Sequence, residues 1–259
     1  MSTTGGAPNI VYDKDLMFYM DAANEDSYRS PDTKIYDLTP NNKNVNKNSV
    51  TFDSANLGAL SFNQTSYCSF VDSAPFNNVT YNGKTLIIVG QIATDFNSGI
   101  SSAPNYGFRQ VFGAANAPGA VQRNWYLSVY NDGSGNGYKF HQSCGGWGTL
   151  SKSVPFNRLG QGSWFCMAFT HSTNGNYEYY LNGVNIGKEY GAGHTSQFFQ
   201  PITLNRTELI GGGTDPYGNQ MASWRGKVSA VLVYKRDLSA DEIMQNFRVL
   251  GPRYGLKSY

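Results

Sequence analysis

The sequence predicts an all-β protein in which two antiparallel sheets pack as a sandwich and one short helix follows near the C-terminus. Three observations support this prediction. Short apolar runs recur along the chain between turn sequences rich in Gly, Asn and Pro. The 29 glycines among 259 residues exceed the usual share of about 7%. A well-marked helix start stands late in the chain, at Ser239.

Apolar runs place the first strands. Residues 16–20 form a short strand, and the polar stretch 21–48 is predicted to be mostly loop. The run 85–93 is apolar without interruption, which is typical of a central strand buried on both faces. Residues 95–124 are loop-rich and hold one short strand near 110–113.

The second half of the chain reads as paired strands. Residues 125–130 and 138–142 flank a turn sequence rich in Gly, Asn and Asp. Strands at 163–172 and 176–181 follow, and the second ends at Asn182-Gly183. Asn-Gly between two strand-like runs is a strong hairpin signal, because both residues tolerate positive φ. The last long strand is predicted at 225–234.

The helix start carries a capping box. Ser239 is the predicted N-cap and Glu242 is its partner three residues later. Ile243, Phe247 and Leu250 then follow at the spacing of one helix face. The Gly-Pro pair directly after Leu250 predicts the end of the helix.

Composition and charge restrict the partners. Residues 1–10 are predicted to form a flexible N-terminal arm, and residues 11–259 a single domain. The net charge is only +2, and no run of Lys or Arg exceeds two residues, so neither nucleic acid nor a membrane is an expected partner. The N-terminus lacks the basic and apolar regions of a signal peptide, so synthesis in a cytoplasm without export is expected.

Several short motifs occur in a fixed order. They are Asp21-Ala22-Ala23-Asn24, Asp37-Leu38, Phe62 with Tyr67, Tyr180-Leu181-Asn182-Gly183, Ile210-Gly211-Gly212 and the stretch 226–243. In this order and spacing the chain resembles the concanavalin A-like, laminin G-type jelly-roll domains of tailed-bacteriophage virion proteins. The resemblance implies a two-sheet antiparallel jelly-roll sandwich with one short C-terminal helix. The motifs form turns, a core aromatic and a capped helix, so they imply no activity.

The residues that glycoside hydrolysis would need are not paired in the sequence. Some relatives in this superfamily are glycoside hydrolases, and these need two carboxyl groups flanking the scissile bond. Glu178 is the only carboxylate in a strongly predicted central strand, and we interpret it as a solvent-facing residue. The Ser and His motifs of hydrolases and metalloproteases are also missing. The sequence therefore predicts a protein that is not an enzyme.

Aromatic residues in two loops are the candidates for glycan binding. Trp147 lies in the Gly-rich stretch 144–148, and Asp215, Tyr217 and Trp224 belong to the other long loop. Exposed rings beside fixed polar groups suit sugar recognition. The alternative is structural: Trp147 and Trp224 plug the ends of the sandwich.

Asp and Asn side chains in two loops are the candidates for a metal site. Asp132 and Asn136 lie in the turn between two predicted strands, and Asp215 and Asn219 lie in a long loop. Oxygen ligands of this kind suit Ca²⁺, but the turn lacks the bidentate Glu of a calcium loop and reads better as a flexible hairpin turn. No cofactor is required by the sequence, and Ca²⁺ is the one that it leaves open.

The resemblance favours a structural role. The expected function is a non-enzymatic protein on the surface of a tailed-phage virion, as capsid decoration or as a fibre or tail attachment, made in the host cytoplasm. Its expected partners are capsid or tail subunits, and self-association as a homo-oligomer is left open. The alternative is a carbohydrate-binding adhesion module that recognises host-surface glycans.

Overall fold

The structure is a computed structural model. The described residues are 9–55, 58–63, 65–71, 83–96, 109–115, 125–131, 137–144, 148–155, 157–172, 176–190, 207–212 and 224–258.

Strands dominate the described residues. In chain order they are β1 (Leu16–Asp21), β2 (Lys34–Ile35), β3 (Val45–Asn48), β4 (Thr51–Asp53), β5 (Ala59–Phe62), β6 (Tyr67–Val71), β7 (Gly83–Ile92), β8 (Arg109–Ala115), β9 (Trp125–Asn131), β10 (Gly137–Cys144), β11 (Gly148–Pro155), β12 (Trp164–Ser172), β13 (Asn176–Leu181), β14 (Val184–Tyr190), β15 (Thr207–Ile210) and β16 (Gly226–Tyr234). One α-helix, α1 (Ala240–Leu250), and a 3-10 helix, Gly251–Tyr254, follow.

The described strands form two antiparallel sheets. The first, here called the covered sheet, has the order β14-β13-β12-β7-β16-β5-β4, and β1 pairs with the C-terminal half of β16 beside β5. The second, the partner sheet, has the order β11-β10-β9-β8-β15-β6-β3-β2. Non-sequential neighbours such as β7 and β16 join distant parts of the chain. The predicted all-β sandwich with one short C-terminal helix is confirmed.

The covered sheet is buried on both of its faces. Leu86 and Ile88 of β7 point into the core between the two sheets. Ile87 and Val89 point the other way, into a second apolar cluster formed with α1. Successive side chains alternate across a strand, so only a continuous apolar run can fill both clusters. This explains the apolar run of β7 and confirms its prediction as a doubly buried strand.

Helix α1 begins at the predicted capping box. The Ser239 hydroxyl accepts the backbone N–H of Glu242, and the Glu242 carboxylate accepts the backbone N–H of Ser239. Ile243, Phe247 and Leu250 are buried against the outer face of the covered sheet. Leu250 is the last α-helical residue, as predicted, and the chain continues from there as the 3-10 helix.

The Asn182-Gly183 turn lies directly beneath the helix. Both residues have positive φ, 50° and 80°, as the predicted hairpin requires. A Cβ placed on Gly183 would come within 3.0 Å of the side chains of Met244 and Phe247. Glycine is therefore needed here for its φ angle and also for the close approach of the helix.

The structure adds two features to the local predictions and corrects one. The stretch 21–48 is mostly loop, as predicted, but it contains two short strands: Lys34–Ile35 pairs with Val45–Asn48, which in turn pairs with β6. Strand β11 (Gly148–Pro155) is formed by an eight-residue pairing with β10 that its polar sequence does not signal. Asn9 and Ile10, assigned to the arm, contact the helix: Ile10 is buried, and Gln245 donates to the Asn9 carbonyl at 2.9 Å.

No helix within the described ranges has both the length and the apolar character that a bilayer crossing requires.

Replacing Phe247 with Ala should destabilise the protein by roughly 3–5 kcal/mol, since truncating a buried Phe removes apolar contacts and leaves a cavity. Phe247 is 4% exposed in the cluster between α1 and the covered sheet. Chemical unfolding measures the loss, with the exposed neighbour Arg248→Ala as the control, expected within about 0.5 kcal/mol of the parent. Equal stability of the two variants would show that α1 does not stabilise the sheet.

Stability should also depend on acid through Glu242. Hydrogen bonds from Arg236 lower the pKa of Glu242 from 4.5 to about 2, and bonds from Ser239 add to this against the effect of burial. Because the pKa of Glu242 is lower in the folded protein than in the unfolded chain, its ionised carboxylate stabilises the fold fully at pH values above about 4.5. This contribution is lost as the pH falls towards 2. The melting temperatures of the parent and of Glu242→Gln should therefore converge over this window. A gap that stays constant from pH 6 to pH 2, roughly the range that linkage covers, would contradict the assignment.

Candidate functional site

One predicted glycan-binding residue is corrected by the structure. Trp224 is fully buried, and its ring packs edge-on against Phe96 and Phe165 at centroid distances of 5.4 and 5.9 Å. Its indole N–H donates to the Lys227 carbonyl at 3.2 Å. The ring therefore closes the end of the core, which is the structural alternative, and has no free face for a sugar.

The remaining predicted site residues lie outside the described residues. These are Trp147, Asp215 and Tyr217 for glycan binding, and Asp132, Asn136, Asp215 and Asn219 for metal binding. Their roles stay predictions. The described residues Gly211 and Trp224 lie side by side, because the backbone N–H of Trp224 donates to the Gly211 carbonyl at 2.8 Å.

A cleft of about 770 Å³ opens at this end of the covered sheet. It lies where β5 and β7 end and where β12 and β16 begin. We call it the end cleft. Its floor includes Phe62 and Ile92. Its hydrogen-bonding side chains are Ser61, Asn63, Thr65, Gln91, Thr94, Asp95, Arg225 and Lys227.

Strand register places Gln91, Lys227 and Ser61 of this lining in one straight row, and Trp164, which lies outside the lining, extends the row on one side. Trp164 of β12 is the cross-strand partner of Gln91, Gln91 is the partner of Lys227, and Lys227 is the partner of Ser61. Cys166 lies two positions from Trp164 on β12, and Val89 lies two positions from Gln91 on β7. Both point outward beneath α1. These four side chains therefore share the outer face, one row beyond the helix. With strands spaced about 4.8 Å apart, the row is roughly 14 Å long.

The polar side chains of the end cleft are held by one another. Arg225 makes a two-pronged ion pair with Asp95, with Nε 2.9 Å from Oδ1 and the terminal nitrogen bonded to Oδ2. Gln91 donates its amide to the Gly162 carbonyl at 2.9 Å. Lys227 is paired with Asp53. Groups fixed in this way lose little further freedom when they bind a ligand.

Asp95, which lines the end cleft, and Asp53, which lies outside the lining and pairs with Lys227, are both held in the ionised form. The hydrogen bond from Arg225 lowers the pKa of Asp95. The hydrogen bond from Lys227, with a backbone bond from Ala55, lowers the pKa of Asp53. A general acid for glycoside hydrolysis needs a raised pKa. These two carboxylates are therefore hydrogen-bond acceptors and suit ligand binding better than acid catalysis.

A buried arginine lies behind the cleft. Arg109 is 2% exposed and donates to the Phe96 carbonyl at 3.4 Å. Burial lowers its pKa, and the charge of Arg225 adds to this while Asp95 opposes it. The carboxylate of Asp95 therefore feels two guanidinium charges, and the hydrogen bonds from Arg225 hold it in position.

Glu178 lies at the opposite end of the covered sheet. It accepts hydrogen bonds from Tyr180 and Asn185, both at 2.7 Å, and pairs with Lys188 at 2.8 Å. Burial alone would raise the pKa of Glu178, but the bonds from Lys188, Tyr180 and Asn185 outweigh it and lower the pKa. The residue is half-buried in a polar network and is not simply the solvent-facing residue that the sequence predicts.

Metal binding finds no support among the described residues. Nowhere in the described ranges do three His, Cys, Asp or Glu side chains come together as a metal cluster. The Ca²⁺ prediction rests entirely on residues outside them.

Sequence reasoning missed Gln91, Lys227, Asp95 and Arg225. A signal for two of them exists: Gln91 and Lys227 are polar positions at the ends of strands whose nearest outward neighbours, such as Val89 of β7, are apolar. The register that brings them together joins residues 136 positions apart, which a pattern along the chain does not reveal.

Residues 100–244, more than half of the chain, match the laminin G-type family model of the concanavalin A-like lectin/glucanase superfamily. The chain belongs to this superfamily. No curated protein is a significant match to the sequence. Nothing in the comparisons indicates the phage origin that the resemblance implied.

Solved structures share the fold at low sequence identity. Domain 4 of AbnA, a GH43 extracellular arabinanase from Geobacillus stearothermophilus solved with arabinotriose, has a TM-score of 0.57 and 15% identity, over 90% of this chain and 98% of that one. The binding domain of Paraclostridial Mosquitocidal Protein 1 has a TM-score of 0.61 and 16% identity. The botulinum neurotoxin serotype D/C binding domain has a TM-score of 0.61 and 12% identity. The match covers 90% of this chain but only about half of each toxin domain, 52% and 51%.

Proposed function

We propose that this protein is a non-catalytic carbohydrate-binding module and that its ligand lies in the end cleft. The observation that carries the proposal is the outer-face row that begins at the aromatic ring of Trp164 and continues through the polar groups of Gln91, Lys227 and Ser61. Sugars present both an apolar ring face and a rim of hydroxyl groups. A row that joins an aromatic ring to polar side chains matches both.

The chemistry of the cleft supports a ligand with many hydroxyl groups. Asp95 supplies carboxylate acceptors, Arg225 and Lys227 supply donors, and the amide of Gln91 supplies both. A hydroxyl group donates one hydrogen bond and accepts others, so it needs both kinds of partner. The ion pairs keep these groups in place before a ligand arrives, which reduces the entropy lost on binding.

The comparisons support the same function. The superfamily takes its name from lectins and glucanases, and the full-length structural match, an arabinanase domain, was solved in complex with arabinotriose. The toxin domains are described as binding domains. Because one fold serves many functions, we base the proposal on the cleft and take the comparisons as additional support.

The place on a virion stays a prediction. It rests on the motif resemblance alone. The capsid or tail partners and the homo-oligomer are predictions of the same kind. Antibody labelling of purified particles would test it, and a carbohydrate-binding module on a particle surface would be compatible with the proposal above.

Changing Asp95 to Asn should weaken glycan binding about five- to thirtyfold, as expected for about 1–2 kcal/mol lost with one charge-assisted contact and its ion pair. The measurement is a glycan array probed with a multivalent display of the protein, because single shallow sites bind weakly. Glu178→Gln is the matched control, since it makes the same chemical change at the opposite end of the sheet. Equal losses in both variants, or no binding by the parent, would refute the assignment of the end cleft.

The purified protein should release no reducing sugar from the glycans that it binds. The carboxylates of Asp95 and Asp53 have lowered pKa values and therefore cannot supply a general acid at neutral pH. A reducing-end assay over hours, with a known glycosidase as the positive control, measures this. Release that Asp95→Asn or Glu178→Gln abolishes would make the protein an enzyme.

A further inference from the structure

A second hollow lies beyond Trp164, at the same end of the sandwich. This groove, of about 290 Å³, runs between residues 157–164 and the C-terminal residues 254–257, and we call it the C-terminal groove. Gly162 lines the end cleft and Ser163, the next residue, lines the C-terminal groove. The two cavities are therefore separated by one turn of the chain, and Trp164 stands at their border.

One wall of the C-terminal groove is aromatic. Trp164 and Tyr254 are stacked, with ring centroids 4.2 Å apart and ring planes at 26°. The Tyr254 hydroxyl is bonded to Ser229 and lies 3.4 Å from the Gly58 carbonyl, so the ring is fixed across the outer face of the covered sheet. A rigid, half-buried aromatic pair can carry the apolar face of a sugar ring.

The remaining lining is rich in hydrogen-bond donors. Arg158 and Lys257 bring two positive charges, and no carboxylate side chain is among the described residues that line the groove. Asn182 also lines the groove, and only 3% of its surface is exposed. Its Oδ1 accepts the Cys166 N–H at 2.9 Å, so its amide nitrogen is the atom that can donate to a ligand. Two cations and a fixed amide donor are complementary to an anionic group.

We propose that the C-terminal groove is a subsite for an acidic sugar residue of an oligosaccharide whose neighbouring residues lie in the end cleft. The inference rests on the proposed function and specifies its ligand class: a glycan with a carboxylate or sulfate substituent. The volume of the groove is at the low end for a ligand pocket, which suits a single sugar residue. The row from Trp164 to Ser61 continues from it and offers room for the rest of the chain.

The test compares length-matched neutral, carboxylated and sulfated oligosaccharides on an array, with the parent protein displayed multivalently. The parent should bind at least one anionic glycan more tightly than its neutral counterpart, and the preference should shrink as salt rises from about 50 to 500 mM. The carboxylated and sulfated members distinguish the two sources of charge.

The decisive variant is Arg158→Gln/Lys257→Gln. It should weaken binding of the preferred anionic glycan about five- to tenfold and leave binding of the neutral counterpart unchanged, as expected for exposed charge contacts. The matched control is Lys14→Gln/Arg29→Gln, which removes two exposed cations that line neither cavity. Unchanged melting temperatures show that all variants are folded.

The outcomes separate the two proposals. Equal binding of neutral and anionic glycans, or an anionic preference that survives in Arg158→Gln/Lys257→Gln, overturns the acidic subsite and leaves the carbohydrate-binding function standing. Both proposals are supported if Asp95→Asn weakens the binding of neutral and anionic glycans alike, while Arg158→Gln/Lys257→Gln loses only the preference for the anionic glycan. Absence of binding to every glycan overturns both.

Discussion

The structure depends on the burial of one sheet on both faces. Strands β7 and β16 lie side by side at its centre, and each sends alternate apolar side chains into the core between the sheets and into the cluster under α1. Apolar area on the outer face must be covered, since leaving it in water forfeits about 25 cal/mol for each Å². The capped helix, with the 3-10 helix after it, is therefore part of the core, although it comes last in the chain. Its capping box and the ion pair between Arg236 and Glu242 set where that cover begins.

The cover stops short of one end of the sheet, and the candidate site begins there. Tyr254 is stacked on Trp164 at this border. In the same row as Trp164, the outward positions of β7 and β16 change from apolar residues to Gln91 and Lys227. The same alternation that buries the strands thus presents polar groups as soon as the helix ends. A polar row on a rigid sheet is a better-fixed binding surface than a loop, because its backbone is held by strand pairing on both sides.

Charge in the cleft is organised for position and not for proton transfer. Asp95 is hydrogen-bonded to Arg225, which lowers its pKa, and the charge of the buried Arg109 acts in the same direction. A carboxylate held in this way accepts hydrogen bonds over the whole neutral range but does not donate a proton. The concanavalin A-like superfamily includes both lectins and glucanases, so fold alone does not choose between binding and hydrolysis. The state of these carboxylates is the physical reason to favour binding.

Local sequence determined the elements whose signals are local. The apolar run of β7, the Asn182-Gly183 hairpin and the Ser239 capping box were all predicted, because periodicity, positive φ and capping act within a few residues. Strand β11 and the two short strands within 21–48 were not predicted, since pairing with neighbouring strands forms them and not their own propensity. The same holds for Trp224: its loop context suggested exposure, and only the packing of Phe96 and Phe165 around it decided burial. The end cleft is also a product of tertiary structure, because it exists only where strand register aligns Gln91, Lys227 and Ser61 across three strands that are far apart in the chain.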